Sequence, residues 1–167
     1  LWWQNPIQEH PIIGDFMKYG PRGTGVYSFQ IRDTVPEQYL GGLWVEDWDI
    51  DAEKITWYIR PEIYFAGTNA EKKVMESREL VAEDVVADIE YYRNSPGGKT
   101  FKEMSGDIVA TDKYTVEIYF DPDKGYDYNM HYYLTTEDRA LLQPPEIEGS
   151  TDWEDQVGTG PWVFSEY

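Results

Sequence analysis

The sequence predicts an α+β fold with a mostly antiparallel sheet and a few helices. Two segments, at 53–60 and 115–120, alternate apolar and polar residues with the period of two that half-buried strands show. Between them, residues 82–93 place apolar side chains at helical spacing. Strands that flank a helix and follow one another through short turns are typical of α+β proteins.

The clearest strand is at 53–60, where Ile55, Trp57 and Ile59 face one way and the residues between them face the other. Asp51-Ala52 just before it has the character of a turn, so we expect this strand to pair with one at 44–49. The segment therefore predicts a β-hairpin.

The chain before this hairpin is harder to interpret. Residues 1–25 contain three prolines and four glycines and show no sustained period, which predicts loops with at most a short strand at 1–4. Residues 26–31 alternate, which favours a strand.

The clearest helix is at 82–93. Its apolar stripe consists of Val85, Val86, Ile89 and Tyr92. Two acidic residues, 83 and 84, lie in its first turn and a basic residue, 93, in its last, as the helix dipole favours. The Ser-Pro-Gly-Gly run at 95–98 predicts its end.

Beyond the helix, the pattern predicts strands at 108–110 and 115–120, joined through a turn at 111–113. A second helix is predicted at 130–142, ended by Pro144-Pro145. Gly160-Pro161 then leads into a last strand at 162–167.

Composition excludes several classes of function. There are 14 Lys and Arg against 32 Asp and Glu, a net charge of −18, which would repel nucleic acid and anionic lipid over most of the surface. The chain has no cysteine, so a disulfide framework, a Cys-ligated zinc site and a thiol nucleophile are excluded. An aromatic content of 16% argues against disorder. No apolar run is long enough to span a membrane.

Candidate catalytic and metal sites are few, and we expect no enzymatic activity and no cofactor. His10 and His131 have no partner at metal-ligand spacing, so a surface or packing role is expected for each. The acidic segment 121–127 is similar to a calcium loop, but its glycine comes one place early and no glutamate occupies the twelfth position. We interpret it as an ordinary turn.

Trp2 and Trp3 are the candidate substrate-binding residues. Adjacent side chains on a strand point to opposite faces, so one indole could pack in the core while the other lines a cleft. The alternative is that both are partly buried packing residues.

Five segments carry a resemblance to a known family. They are LWVEDW at 43–48, KITWYIR at 54–60 followed by IYF at 63–65, LVAEDVV at 80–86, DKYTVEI at 112–118 and VGTGPW at 157–162. In this order they resemble the peptide/nickel-binding family of extracellular solute-binding proteins that serve ABC importers, family 5.

Three positions depart from the family pattern. Val81 stands where the family has threonine, so the side-chain N-cap is lost at a cost of about 1 kcal/mol unless another group caps the helix. Pro61-Glu62 replaces Asp-Gly, and the segment 66–79 is longer than the family's short turn. These differences indicate a divergent member.

The resemblance implies a part of the first lobe of a two-lobed periplasmic-binding-protein-like fold. It implies a single partial lobe over 1–167, in which 1–42 and 157–167 are main-lobe strands and 43–156 an accessory subdomain. It further implies a monomeric, extracytoplasmic chain, anchored to the membrane through an upstream signal. Such a protein captures a peptide or other small solute and delivers it to an ABC permease.

Two other functions fit the composition. Aromatic residues and acidity also suit a carbohydrate-binding or adhesive extracellular module, which would show a row of exposed rings on one face. An acidic hydrolase has only the number of carboxylates in its favour, because some pair of them will lie close by chance.

Overall fold

The structure is a computed structural model. It describes residues 7–29, 35–68, 72–124, 130–131, 134 and 142–163. None of the helices in these residues is long and apolar enough to cross a bilayer.

The described elements are eight strands, three α-helices and three short 3₁₀ turns. The strands are β1 (Ile12–Gly14), β2 (Leu40–Gly42), β3 (Val45–Ile50), β4 (Lys54–Ile59), β5 (Tyr64–Phe65), β6 (Arg78–Glu79), β7 (Ser105–Asp112) and β8 (Thr115–Phe120). The helices are α1 (Phe16–Tyr19), α2 (Ala82–Asn94) and α3 (Lys99–Met104). The 3₁₀ turns are Glu37–Tyr39, Pro145–Ile147 and Trp153–Asp155.

The main sheet has four antiparallel strands in the order β3-β4-β8-β7. Both predicted hairpins are confirmed: β3 pairs with β4 with Trp48 opposite Trp57, and β7 pairs with β8 with Ala110 opposite Val116. The α+β fold with an antiparallel sheet is therefore confirmed.

One face of this sheet forms the core. Ile55, Trp57 and Ile59 on β4 are each at most 2% exposed, as are Val116 and Ile118 on β8. They pack together with the apolar side of α2 in one hydrophobic cluster. The period of two in the sequence thus identified the buried face of both strands.

Helix α2 begins where the sequence predicts and ends one residue later, at Asn94. Val85 and Ile89 of its stripe are buried, while Val86 and Tyr92 are partly buried against the same cluster. Val81 is the N-cap and makes no side-chain capping bond. The N–H of Val81 itself donates to Asp84 Oδ2 at 3.0 Å, so the third residue of the helix satisfies the backbone N–H of the N-cap.

The described residues also form two small sheets of two strands each. β1 pairs with β2, and β5 pairs with β6, each antiparallel. The long segment 66–79 therefore folds back so that its end, β6, pairs with β5. Within it, an isolated antiparallel β-bridge joins Thr68 to Lys73.

Five sequence predictions need correction or fall outside the described residues. The strand predicted at 26–31 is wrong for 26–29: Phe29 has φ 45°, and the Tyr27 and Phe29 rings pack against other rings instead of forming a sheet face. Residues 12–19, predicted as loop, hold β1 and α1.

The strand predicted at 1–4 lies outside the described residues. Of the helix predicted at 130–142, Met130, His131 and Leu134 are helical, and residues 132–133 and 135–141 lie outside. Trp162 and Val163 are exposed and not in a strand, so the strand predicted at 162–167 is wrong for its first two residues. Residues 164–167 lie outside the described residues.

Candidate functional site

The candidate residues Trp2 and Trp3 lie outside the described residues, so their packing stays a prediction. The chain they lead into is described from Ile7 onward. There residues 7–9 meet Gln156 and the glycine turn 157–160, and we call these three parts together the junction.

Backbone contacts hold the turn in the junction. Gly160 N donates to Ile7 O at 2.8 Å, and Ala66 N donates to Gly158 O at 2.9 Å. A Cβ on Gly158 would lie 2.3 Å from Ile7 O, far inside contact distance. Glycine at 158 is therefore required by a close backbone approach, which explains the motif in structural terms.

The side chain of Gln8 and the backbone carbonyl of Glu9 both form hydrogen bonds at the junction. Gln8 is fully buried, and its Nε2 donates to Gln156 Oε1 at 3.0 Å. No donor among the described residues bonds Gln8 Oε1. Trp44 Nε1 donates to the Glu9 carbonyl at 3.1 Å, which fixes this segment against the start of the main sheet.

Glu9 is the ionisable group of the junction. Burial raises the pKa of its carboxyl, and the nearby Thr159 hydroxyl partly lowers it again. No Lys or Arg among the described residues forms an ion pair with it. Amide and carboxyl groups in a buried setting can accept hydrogen bonds from a neutral donor such as a peptide N–H.

Sequence reasoning missed Gln8 and Glu9. Glutamine and glutamate are mostly exposed in folded proteins, so nothing in their type marks them as buried. Their closeness to Trp2 and Trp3 in the sequence was the one available signal.

The two histidines lie in buried or partly buried positions. His131 is 3% exposed, and burial lowers its pKa to about 4. Its ring centroid lies 6.3 Å from that of Trp48, so it packs as the sequence predicts. His10 is partly buried. Within the described part of the chain, no three acidic or His side chains are grouped to hold a metal ion.

The segment that resembles a calcium loop is a turn over its described residues. Asp121 Oδ1 accepts from Asp123 N at 2.9 Å, and Asp121 O accepts from Lys124 N at 3.1 Å. The Asp121 side chain thus bonds its own backbone, as in an Asx turn. The rest of the segment, 125–127, lies outside the described residues.

The fold can be compared with known proteins. No protein-family model matches the chain, and no curated protein matches its sequence. Solved structures do match it. The dipeptide-binding protein from Pseudoalteromonas sp. SM9913 in complex with Met-Leu is 18% identical, with a TM-score of 0.70 over 98% of this chain and 32% of that one.

Two further matches have other ligands. The oligopeptide-binding protein AppA from Bacillus subtilis, with a nonapeptide, is 16% identical, with a TM-score of 0.62 over 98% of this chain and 29% of that one. NikA from Brucella suis, with Fe(III)-EDTA, is 19% identical, with a TM-score of 0.60 over 99% of this chain and 28% of that one.

These likenesses show the fold. The chain folds like part of a lobe of the solute-binding proteins that serve ABC importers. It spans about a third or less of the length of these solved structures.

Proposed function

We propose that the chain belongs to the solute-binding component of an ABC importer, a non-catalytic protein that captures a peptide-like solute outside the cytoplasm and delivers it to a membrane permease. The observation that carries the proposal is the fold match over 98% of the chain to a dipeptide-binding protein. The five family-like segments, found in order along the sequence, support it independently of the fold.

We further propose that residues 43–156 form an accessory subdomain and that 1–42 and 157–167 belong to the main lobe. The junction supports this division, because the turn 157–160 contacts Ile7 directly through the Gly160–Ile7 hydrogen bond. The β1–β2 sheet is also separate from the four-stranded sheet, which lies wholly within 43–156.

Solute capture in this proposal takes place in a cleft between two lobes, of which this chain supplies one wall. Trp2 and Trp3 would line that wall. The buried amide of Gln8 supports this choice, because its Oε1 has no donor among the described residues and Gln8 follows the two tryptophans by five and six residues along the chain.

Calorimetry with a peptide library tests the proposal. A protein with a complete second lobe fused after this chain should bind a subset of peptides, while the 167-residue chain alone should bind weakly or not at all. Trp2→Ala and Trp3→Ala should weaken binding in the two-lobed protein, with Tyr91→Ala, an exposed ring on α2, as the control. Tight binding by the 167-residue chain alone would refute the two-lobe reading.

The alternative is a carbohydrate-binding or adhesive module. Exposed rings do occur at Phe16, Tyr58, Tyr64, Tyr91 and Trp162. These rings lie on different elements, with Tyr58 on β4, Tyr64 on β5 and Tyr91 on α2. Quenching of tryptophan fluorescence by soluble glycans, without an effect of peptides, would favour this alternative over solute transport.

A further inference from the structure

An ordered loop presents three exposed apolar side chains next to two cations. We call residues 15–29 the aromatic loop. Phe16 is 50% exposed, Met17 73% and Val26 60%, so all three present large apolar surfaces to solvent. We call these three side chains the apolar tip.

The aromatic loop is built to hold the tip in place. The rings of the loop and that of Tyr39 form a continuous chain of contacts: Phe16–Phe29 at 4.6 Å, Phe29–Tyr27 at 4.8 Å, Tyr27–Tyr39 at 4.6 Å and Tyr39–Tyr19 at 5.2 Å between centroids. Tyr27 stacks on Tyr39, while the Tyr27–Phe29 and Tyr19–Tyr39 contacts are edge to face, so the rings hold one another in a local aromatic cluster.

Backbone hydrogen bonds close the loop on itself. Thr24 N donates to Lys18 O at 2.9 Å, Gly25 N to Gly20 O at 3.0 Å and Tyr27 N to Tyr19 O at 3.2 Å. The returning segment that carries Val26 therefore lies beside α1, which carries Phe16 and Met17. The exposure of the tip is thus a feature of an ordered scaffold.

The charge of this loop differs from that of the rest of the chain. The aromatic loop contains one acidic residue, Asp15, against Lys18 and Arg22, and residues 16–32 contain no Asp or Glu, the longest such stretch in a chain that has 32 acidic residues. Within its described part, Lys18 and Arg22 are exposed. A locally cationic, apolar surface therefore stands on a protein whose net charge is −18.

We propose that the aromatic loop docks on the surface of a phospholipid bilayer, with the apolar tip entering the boundary of the acyl chains. Tyrosines with one apolar and one polar end occupy such interfaces, and Lys and Arg beside them reach the phosphates. Apolar area and local cations together set the strength of such binding.

This arrangement fits a bilayer better than a second copy of the chain. Two copies joined through this loop would bring Lys18 and Arg22 of each next to those of the other. A bilayer offers phosphates to these cations and an apolar layer to the tip, while the acidic remainder of the chain stays in water. The proposal stands whether or not the chain transports a solute.

Flotation with vesicles tests the proposal on the 167-residue chain. It should float with vesicles of phosphatidylcholine and with vesicles that also contain phosphatidylglycerol. The double variant Met17→Ser/Val26→Ser should lose about tenfold in partition, because two exposed apolar contacts are removed. Both side chains are well exposed, so the variant should keep its fold, checked by circular dichroism.

A control variant removes exposed apolar side chains elsewhere on the chain. Val109→Ser/Val163→Ser removes two exposed valines outside the loop and should float like the parent. Lys18→Gln/Arg22→Gln should weaken binding to the phosphatidylglycerol vesicles and reduce its sensitivity to salt.

Two results would overturn the proposal. One is equal flotation of the tip variant and the parent, including no flotation of either. The other is dimerisation without lipid, seen by sedimentation and abolished in the tip variant, because it would assign the tip to a second copy. A Met17→Trp reporter that is quenched by brominated lipid, while Val109→Trp is not, would support the proposal directly.

Discussion

Arg78 and Asp84 form a two-pronged ion pair that fastens β6 to the first turn of α2. Arg78 Nη1 donates to Asp84 Oδ2 and Nη2 to Oδ1, each at 2.7 Å. The same guanidinium also donates to both carboxylate oxygens of Glu146, at 2.7 and 2.9 Å. One arginine therefore joins β6, α2 and the 3₁₀ turn Pro145–Ile147.

Replacing this arginine by lysine should destabilise the protein. A lysine ammonium lacks the planar, forked arrangement of N–H donors, so Arg78→Lys cannot bind the carboxylates of Asp84 and Glu146 at the same time. The Asp84 side chain is only 7% exposed, so its buried charge would be left with fewer hydrogen-bond donors. We expect a loss of about 1–3 kcal/mol in the free energy of unfolding, measured with urea. The exposed Arg22→Lys is the control, and an unchanged midpoint for Arg78→Lys would contradict the prediction.

A substitution at the N-cap of α2 should stabilise the protein. Val81 has the extended backbone of an N-cap (φ −130°, ψ 166°) but no side-chain acceptor. Val81→Thr keeps the shape and adds a hydroxyl that can accept from the first-turn N–H groups. It should stabilise the protein by about 0.5–1 kcal/mol in urea unfolding.

The control for this change is Val109→Thr, the same substitution at an exposed strand position. A gain at both positions would mean that the capping hydroxyl is not the cause. A loss at Val81 alone would show that the partly buried methyl group matters more than the missing cap.

Much of the main sheet could be predicted from the sequence, because its signals are local. Ile55, Trp57 and Ile59 alternate over one strand, and the buried face follows from the period of two without knowledge of the partner. The same logic failed at Tyr27 and Phe29, which alternate in the same way. Their rings pack on Tyr39 and over Gly14, contacts with other parts of the chain that no local period reveals.

The junction could not be predicted for a related reason. Gly158 is identified by the sequence as part of a glycine turn, but its partner Ile7 lies at the other end of the chain. The burial of Gln8 likewise follows from that long-range contact and from Gln156, and polar side chains give no sign of it by their type. Contacts of this kind come from the fold as a whole.

The close approach at Gly158 can be tested by adding one methyl group. Gly158→Ala places a Cβ against Ile7 O and Gln8 Cα, both backbone atoms, so the turn must move away from the N-terminal segment. We expect a loss of about 2–4 kcal/mol in urea unfolding.

Gly149→Ala is the control for Gly158→Ala, because it introduces backbone strain without a steric clash. Gly149 has φ 73° with open space around it, so alanine there should cost only about 1 kcal/mol. Equal losses at the two positions would show that the contact with Ile7 is not what requires glycine at 158.

The pH dependence of stability should report on Asp88. Burial raises the pKa of this carboxyl to about 8, with a further rise from Glu148, and the Gln143 N–H partly opposes it by donating to Oδ1 at 3.3 Å. The folded chain then holds a proton that the unfolded chain has already lost. Stability is therefore fully present below pH 3.8 and falls as the pH rises toward about 8.

Asp88→Asn should remove this loss, because the amide is neutral at every pH and its oxygen can still accept from Gln143. The variant should match the parent at low pH and become more stable than it by pH 8, in urea midpoints taken across this range. Asp107→Asn, an exposed position on β7, should leave the slope unchanged. If the two variants have the same slope as the parent, the carboxyl of Asp88 is ionised in the folded protein and is not desolvated as the structure indicates.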